Sequence, residues 1–213
     1  MNYKAVLFDL DGVIVDSEPL HVAAFQAALK HYGHDLTEEQ YKQYFAGRTD
    51  EAGFTHYFDA IGERVDLPTI MAQKAKIYLE LAADQLVPYP GVLEFIQSLA
   101  ARKVPLALVT GSLRAEAAVT LKAFKLTELF AAIITAEDIT HSKPNPEGYL
   151  KGAKALGVQP GDCIVIEDAP SGVAAANAAG MRCLAVTTTH TAEELQDATL
   201  VVDKLQPDCL ATL

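Results

Sequence analysis

The chain has 213 residues, half of them hydrophobic and 21% charged, enough for one sizeable core or a core domain carrying a smaller insert. Its formal net charge of -11 argues against nucleic acid and anionic membranes as partners, since both repel an acidic surface. No stretch reaches the roughly 18 uncharged apolar residues of a membrane span. Asp9 and Asp11 interrupt the first apolar run too early for a leader segment, and the three cysteines (Cys163, Cys183 and Cys209) lack metal-ligand spacing. A reducing cytoplasm is the expected location.

The first element is "YKAVLFD" (3–9), a short apolar run that ends on Asp9 and continues into "LDG", with Asp11 two residues on. Two carboxylates beside a buried strand are costly unless something offsets their charge. An Asp-Gly surface turn would place them there without function; a bound cation would place them there for chemistry. From about Asp16 to Val87 the pattern turns helical: "PLHVAAFQAALKHYG", "TEEQYKQYFAG", "DEAGFTHYFDAIG" and "PTIMAQKAKIYLELAA" each carry apolar residues at helical spacing. The aromatics Phe25, Tyr41, Tyr44, Phe45, Tyr57 and Phe58 are read as the core of this segment.

At "PYPG" (88–91) a different rhythm begins. A helix over 91–103 leads to the strand "VPLALVT" (104–110), then the helix "RAEAAVTLKAF" and a weaker strand, "AAIITA" (131–136). "NPEGYLKGAKALG" follows as a helix stopped by Gly157, then the strand "DCIVIED" (162–168), the helix "APSGVAAANAAG" and a second weak strand, "RCLAVT" (182–187). Apolar strands alternating with helices predict a doubly wound, Rossmann-like α/β fold with a mostly parallel sheet. The expected division is an α/β core domain of residues 1–15 and 88–213 and an inserted helical cap of residues 16–87, with hinges near Val15–Ser17 and Val87–Gly91.

In such a sheet ligands bind outside the carboxyl ends of the strands. Asp9 with Asp11, Thr110 with Ser112, and Glu167 with Asp168 all fall there. Carboxylates grouped without histidine or thiolate suit a hard cation such as Mg2+, which also offsets their mutual repulsion. Read alone, Lys143 is an ordinary loop lysine and His21 a packed or solvent-facing helix residue. Ser112 and Ser171 are read as caps of the helices that follow them, and Cys163 and Cys183 as core fillers.

"DLDG", "LVTGS", "SKPNPEGY" and "VIEDAPSG" resemble, in order, the four motifs of the haloacid dehalogenase superfamily in its phosphatase branch. "DGVIVDSEPLH" and the helical insert are similar to the beta-phosphoglucomutase-like subfamily. The resemblance implies a Mg2+-dependent phosphatase acting on a small phosphorylated metabolite through an aspartyl-phosphate. Asp9 would be the nucleophile and Asp11 the general acid and base. Thr110 and Lys143 would hold the phosphoryl group, and Mg2+ would sit on Asp9, the Asp11 carbonyl, Glu167 and Asp168. His21, Gly47, Arg48, Lys74, Gly111 and Ser112 would contact substrate.

Three other activities are weighed. A sugar-phosphate mutase shares the core residues but needs a cation for a second phosphate, and at the family's cap arginine this chain has Thr49, with Arg48 one position earlier. A dehalogenase needs neither Asp11 nor the Glu167–Asp168 pair. A non-enzymatic phospho-acceptor lacks a cap. A monomer is expected.

Overall fold

The computed structural model describes residues 3–211 and 213. In chain order the elements are β1 (Ala5–Phe8), β2 (Val15–Asp16), α1 (Glu18–Lys30), α2 (Glu38–Tyr44), α3 (Asp50–Ile61) and α4 (Leu67–Gln85). They continue with β3 (Val87–Pro88), α5 (Val92–Ala101), β4 (Leu106–Val109), α6 (Arg114–Ala123), β5 (Ala132–Ile134) and α7 (Glu147–Leu156). β6 (Cys163–Glu167), α8 (Pro170–Ala178), β7 (Arg182–Val186) and β8 (Leu200–Val202) complete the chain. Contacts divide it into two compact units, the chain up to Ser17 with Leu86–Leu213, and Glu18–Gln85.

The first unit is built on a six-stranded sheet of order β5-β4-β1-β6-β7-β8 in which each pairing is parallel. Alternation along the strands gives each face its own core. Val6, Phe8, Leu106, Leu108, Ile164 and Ile166 point to one side, where Phe95, Ile96 and Leu99 of α5 and Leu121 of α6 cover them. Ala5, Leu7, Ala107, Val109, Cys163 and Val165 point to the other, against Tyr149 and Ala153 of α7 and Val173 and Ala176 of α8. Burial on both faces explains why these strands read as unbroken apolar runs. Cys163 and Cys183 are fully buried in this second core, as expected of fillers. β8 lies outside the expected five strands: only three residues long and half-buried, it has too weak an apolar signal to read.

Two features position the site. The strand order reverses at β1: β4 and β5 extend the sheet on one side, β6 to β8 on the other. A crevice therefore opens between the carboxyl ends of β1 and β6. The two expected hinges also pair with each other, β2 with β3 in antiparallel register (Val15 with Pro88, Asp16 with Val87), so both chain crossings are tied to one ribbon.

The second unit is wholly helical. Thr37 and Gln40 form a capping box at the start of α2, and the Thr49 hydroxyl accepts from Ala52 N–H to cap α3. Phe25, Tyr41, Phe45, Tyr57 and Phe58 are buried together with Phe54 and Ile70, and Tyr44 packs against them, the core its aromatics led us to expect. No helix among the described residues is long and apolar enough to cross a membrane.

Candidate active site

Asp9 follows β1 directly, and its own N–H continues the ladder by donating to the Ile166 carbonyl of β6 at 3.0 Å. Glu167 closes β6, and Asp168 is the next residue. One oxygen from each of Asp9, Glu167 and Asp168 lies within 4.8 Å of the others. Gly12 lets them gather: its φ is +80°, and a Cβ there would stand 2.0 Å from Asp168 Oδ2. Gly172 in the first turn of α8 does the same for Glu167, whose carboxylate would lie 1.8 Å from an added Cβ.

Lys143 comes from the loop between β5 and α7, and its ammonium sits between two of these acids. It lies 2.8 Å from Asp9 Oδ2 and 2.7 Å from Glu167 Oε1, with the side chain only 18% exposed. This is not a solvent-facing loop lysine. Glu167 is fully buried and accepts from Lys143 and from the Tyr149 hydroxyl (2.5 Å) on Oε1, and from the N–H groups of Asp168 and Ala169 on Oε2. Four donors use the whole acceptor capacity of a carboxylate.

One lysine does not balance three acids. Burial pushes the Asp9 carboxyl well above its ordinary range; Lys143 pulls it down, while Glu167 and Asp168 push it further up. Asp168 is raised to about 6, first by burial and then by the charge of Glu167. For Lys143 burial works against the charge, but Asp9 and Glu167 outweigh it and the ammonium is held above its usual value. Ionised together, the three acids carry more negative charge than Lys143 balances, so Asp9 and Asp168 resist losing their protons unless a further cation is present.

Asp11 stands apart from that group. Its carboxylate accepts from the Ser17 hydroxyl on Oδ1 and from the Ser112 hydroxyl on Oδ2. Ser112 is therefore not a helix cap: the residue at the start of α6 is Leu113, whose N–H is taken by Glu116. Ser171 is not a cap either, since α8 starts at Pro170 and Ser171 lies inside its first turn. Thr110 is buried at the end of β4, its hydroxyl accepting from Ser112 N–H at 2.9 Å, with Gly111 between them.

Sequence reasoning missed four residues here. Ser17 is masked by its position at the end of an apolar run, and Tyr149 by its place on the apolar face of α7, where it reads as core. Thr188 and Thr189 carried a usable signal, because they follow β7 at the same sheet edge. The Thr188 hydroxyl donates to the Gly12 carbonyl and the Thr189 hydroxyl to Asp168 Oδ2. Among the described residues no buried side-chain nitrogen or oxygen lacks a partner.

The remaining expected residues belong to the helical unit. Lys74 is almost wholly buried there, ion-paired to Asp50 at 3.0 Å, 3.0 Å from His21 Nδ1 and 4.7 Å from the Phe25 ring centre. His21 stacks on Tyr78 with ring centres 4.3 Å apart. Gly47 takes a left-handed conformation, φ +70°, in the turn between α2 and α3, and the Arg48 guanidinium donates to the Gln43 carbonyl.

A family model described as haloacid dehalogenase-like hydrolase matches residues 6–186. The chain belongs to that family. It is 34% identical over 203 residues to validoxylamine A 7'-phosphate phosphatase of Streptomyces hygroscopicus subsp. limoneus, covering 95% of this chain and 94% of that protein. It is 33% identical over 184 residues to the fructose-1-phosphate phosphatase YqaB of Escherichia coli, covering 84% and 94%. Among solved structures, beta-phosphoglucomutase of Clostridium difficile superposes with a TM-score of 0.79 at 26% identity, over 98% of this chain and 93% of that one.

Proposed function

We propose that the chain is a Mg2+-dependent phosphatase that hydrolyses a small phosphorylated metabolite, a sugar phosphate or similar, through an aspartyl-phosphate on Asp9. The observation that carries this reading is the arrangement at the β1/β6 crevice, where Lys143 bridges Asp9 and Glu167 and Asp168 completes an under-neutralised acidic group. The named phosphatases among its relatives support it.

An Asp9 carboxylate oxygen attacks phosphorus in line with the ester oxygen, which leaves with a proton from Asp11. Asp11, now ionised, takes a proton from water, and that water attacks phosphorus to free phosphate and restore Asp9. Ser17 and Ser112 suit Asp11 to this double role. A serine hydroxyl both donates and accepts, so it can hold a carboxyl in either protonation state. Lys143 holds charge against the transferring oxygens, and Thr110, as acceptor from Ser112 N–H, keeps its own proton for one of them.

The donor set fits a hard divalent ion: it is all oxygen, offers carboxylates from two adjacent strand ends, and carries unbalanced negative charge. Asp9, Asp168 and the Asp11 carbonyl would hold the ion. Glu167, with both oxygens already accepting, would act by its charge. When bound, Mg2+ supplies charge neutralisation for the phosphoryl oxygens.

A pH dependence follows from the Asp168 carboxyl at about 6 against an ordinary 3.8. A raised carboxyl is a cost that is absent below the unfolded value and complete above the folded one. Stability of chelated protein from this group therefore falls as pH rises from the ordinary carboxylate value towards the raised one. Mg2+ needs the ionised form and reverses that loss. The Mg2+-induced rise in Tm is expected to be small at pH 5 and several degrees at pH 7.5; equal shifts at both pH values would contradict it.

Direct assay of phosphate release, with Mg2+ and in excess chelator, against sugar phosphates, polyol phosphates, phosphoglycolate and nucleotides tests the function. Metal-dependent release from a small phosphomonoester is the expected result, and release that persists in chelator would overturn the cation reading. The mutase is the second reading, favoured by the superposition on a beta-phosphoglucomutase. It needs a cation for a second phosphate, yet Arg48 is engaged by Gln43 and Lys74 by Asp50. Supplying beta-glucose 1-phosphate with a trace of the 1,6-bisphosphate separates the two: a mutase makes glucose 6-phosphate faster than free phosphate.

A further inference from the structure

The segment after β7 reaches both walls of the β1/β6 crevice. On the β1 wall, the Thr188 hydroxyl donates to the main-chain carbonyl of Gly12, the residue next to Asp11. On the β6 wall, the Thr189 hydroxyl donates to Asp168 Oδ2. We propose that Thr188 and Thr189 are positioning residues that clamp the two walls in register and set the affinity of the crevice for its divalent cation; this rests on the cation site proposed above.

The direction of the Thr189 bond is fixed by its neighbour. His190 Nδ1 lies 3.0 Å from the Asp168 carbonyl, which can only accept, so this nitrogen carries the proton. The same Nδ1 is 2.8 Å from Thr189 Oγ1. The threonine oxygen accepts there, and its single proton goes to the carboxylate, the nearer of its two acceptors, the Asp168 carbonyl lying at 3.3 Å. Oδ2 is further confined by Gly12, where no Cβ could fit. One oxygen of Asp168 is thereby tied down, and the carboxylate is held to one rotation.

The chemistry of the donor matters as much as its place. Asp9 and Glu167 are bound by the Lys143 ammonium. The Asp168 carboxylate receives instead a neutral hydroxyl, which orients it without neutralising it and leaves its charge for a cation. Groups that orient metal-binding carboxylates in this way typically contribute about 10- to 100-fold to metal affinity. Thr189 is itself exposed, so its replacement leaves the two cores untouched.

Calorimetric titration of Mg2+ into the intact protein tests the proposal. Thr189→Val keeps the shape and removes the hydroxyl; it is expected to weaken binding about 10- to 100-fold. Thr189→Ser keeps the hydroxyl and is expected to restore it, a rescue that a merely structural role would not produce. Thr189→Ala takes the place of the valine variant should that one fail to fold. Wild-type affinity in Thr189→Val or Thr189→Ala, or a serine variant as weak as either, would overturn the proposal alone. A wild-type protein that binds no Mg2+ would overturn it together with the cation site.

Discussion

Asp9→Asn is expected to abolish turnover, by at least about 1,000-fold, while the folded structure persists. The amide cannot attack phosphorus, so no alternative nucleophile remains at the end of β1. Stability should move the other way. Asp9 is a buried carboxyl pushed up by burial and by two neighbouring acids; an amide of the same shape removes that repulsion, its one oxygen keeping the Leu10 N–H while Lys143, released from Oδ2, stays on Glu167. In chelator the variant is expected to melt no lower than wild type. In Mg2+ its advantage should shrink or reverse, because the wild type gains a bound ion and the variant has lost a ligand charge. Phosphate release and melting, each measured with and without Mg2+, decide the matter. Activity above a small fraction of wild type would remove Asp9 from the role of nucleophile.

The parts of this site that could be read from the chain are those where a strand delivers a polar residue to the sheet edge. Asp9, Thr110, Glu167 and Asp168 each end an apolar run, and burial on both sheet faces makes such runs stand out. Lys143 had no local signal of its own. It lies in an irregular loop, and only its motif neighbours marked it; its charge acquires meaning from the acids it meets across the fold. Tyr149 was hidden for the opposite reason, since its ring packs in the core while its hydroxyl reaches Glu167. Ser112 was misassigned because a serine before a helix is so often a cap, and here a carboxylate competed for its hydroxyl and won. β8 could not be read because three half-buried residues leave no periodicity. In the helical unit the aromatic core was legible from spacing, whereas the Lys74–Asp50 pair joins residues from different helices and no local pattern announces it.

Lys143→Met is expected to be both inactive and strongly destabilised, by about 3–5 kcal/mol. The methionine fills similar space but leaves two acids without the ammonium contact they share, the only one among the described residues: Glu167, with no exposure at all, and Asp9, already raised. The cost comes from the charge left behind more than from the bond lost. It follows that the stability, unlike the activity, can be recovered by removing the stranded charge. Lys143→Met combined with Glu167→Gln should regain a large part of the lost stability, since the glutamine oxygen can accept from the Asp168 and Ala169 N–H groups while its amide N–H donates to the Tyr149 hydroxyl, which can also accept. Activity should not return, because the ammonium that holds charge against the phosphoryl group is still missing. Chemical denaturation of the single and double variants, beside their rates of phosphate release, separates the two roles. A double variant no more stable than Lys143→Met would mean that the lysine supports the fold by packing over the Tyr149 ring, which its ammonium covers at 5.2 Å, and not by balancing buried charge.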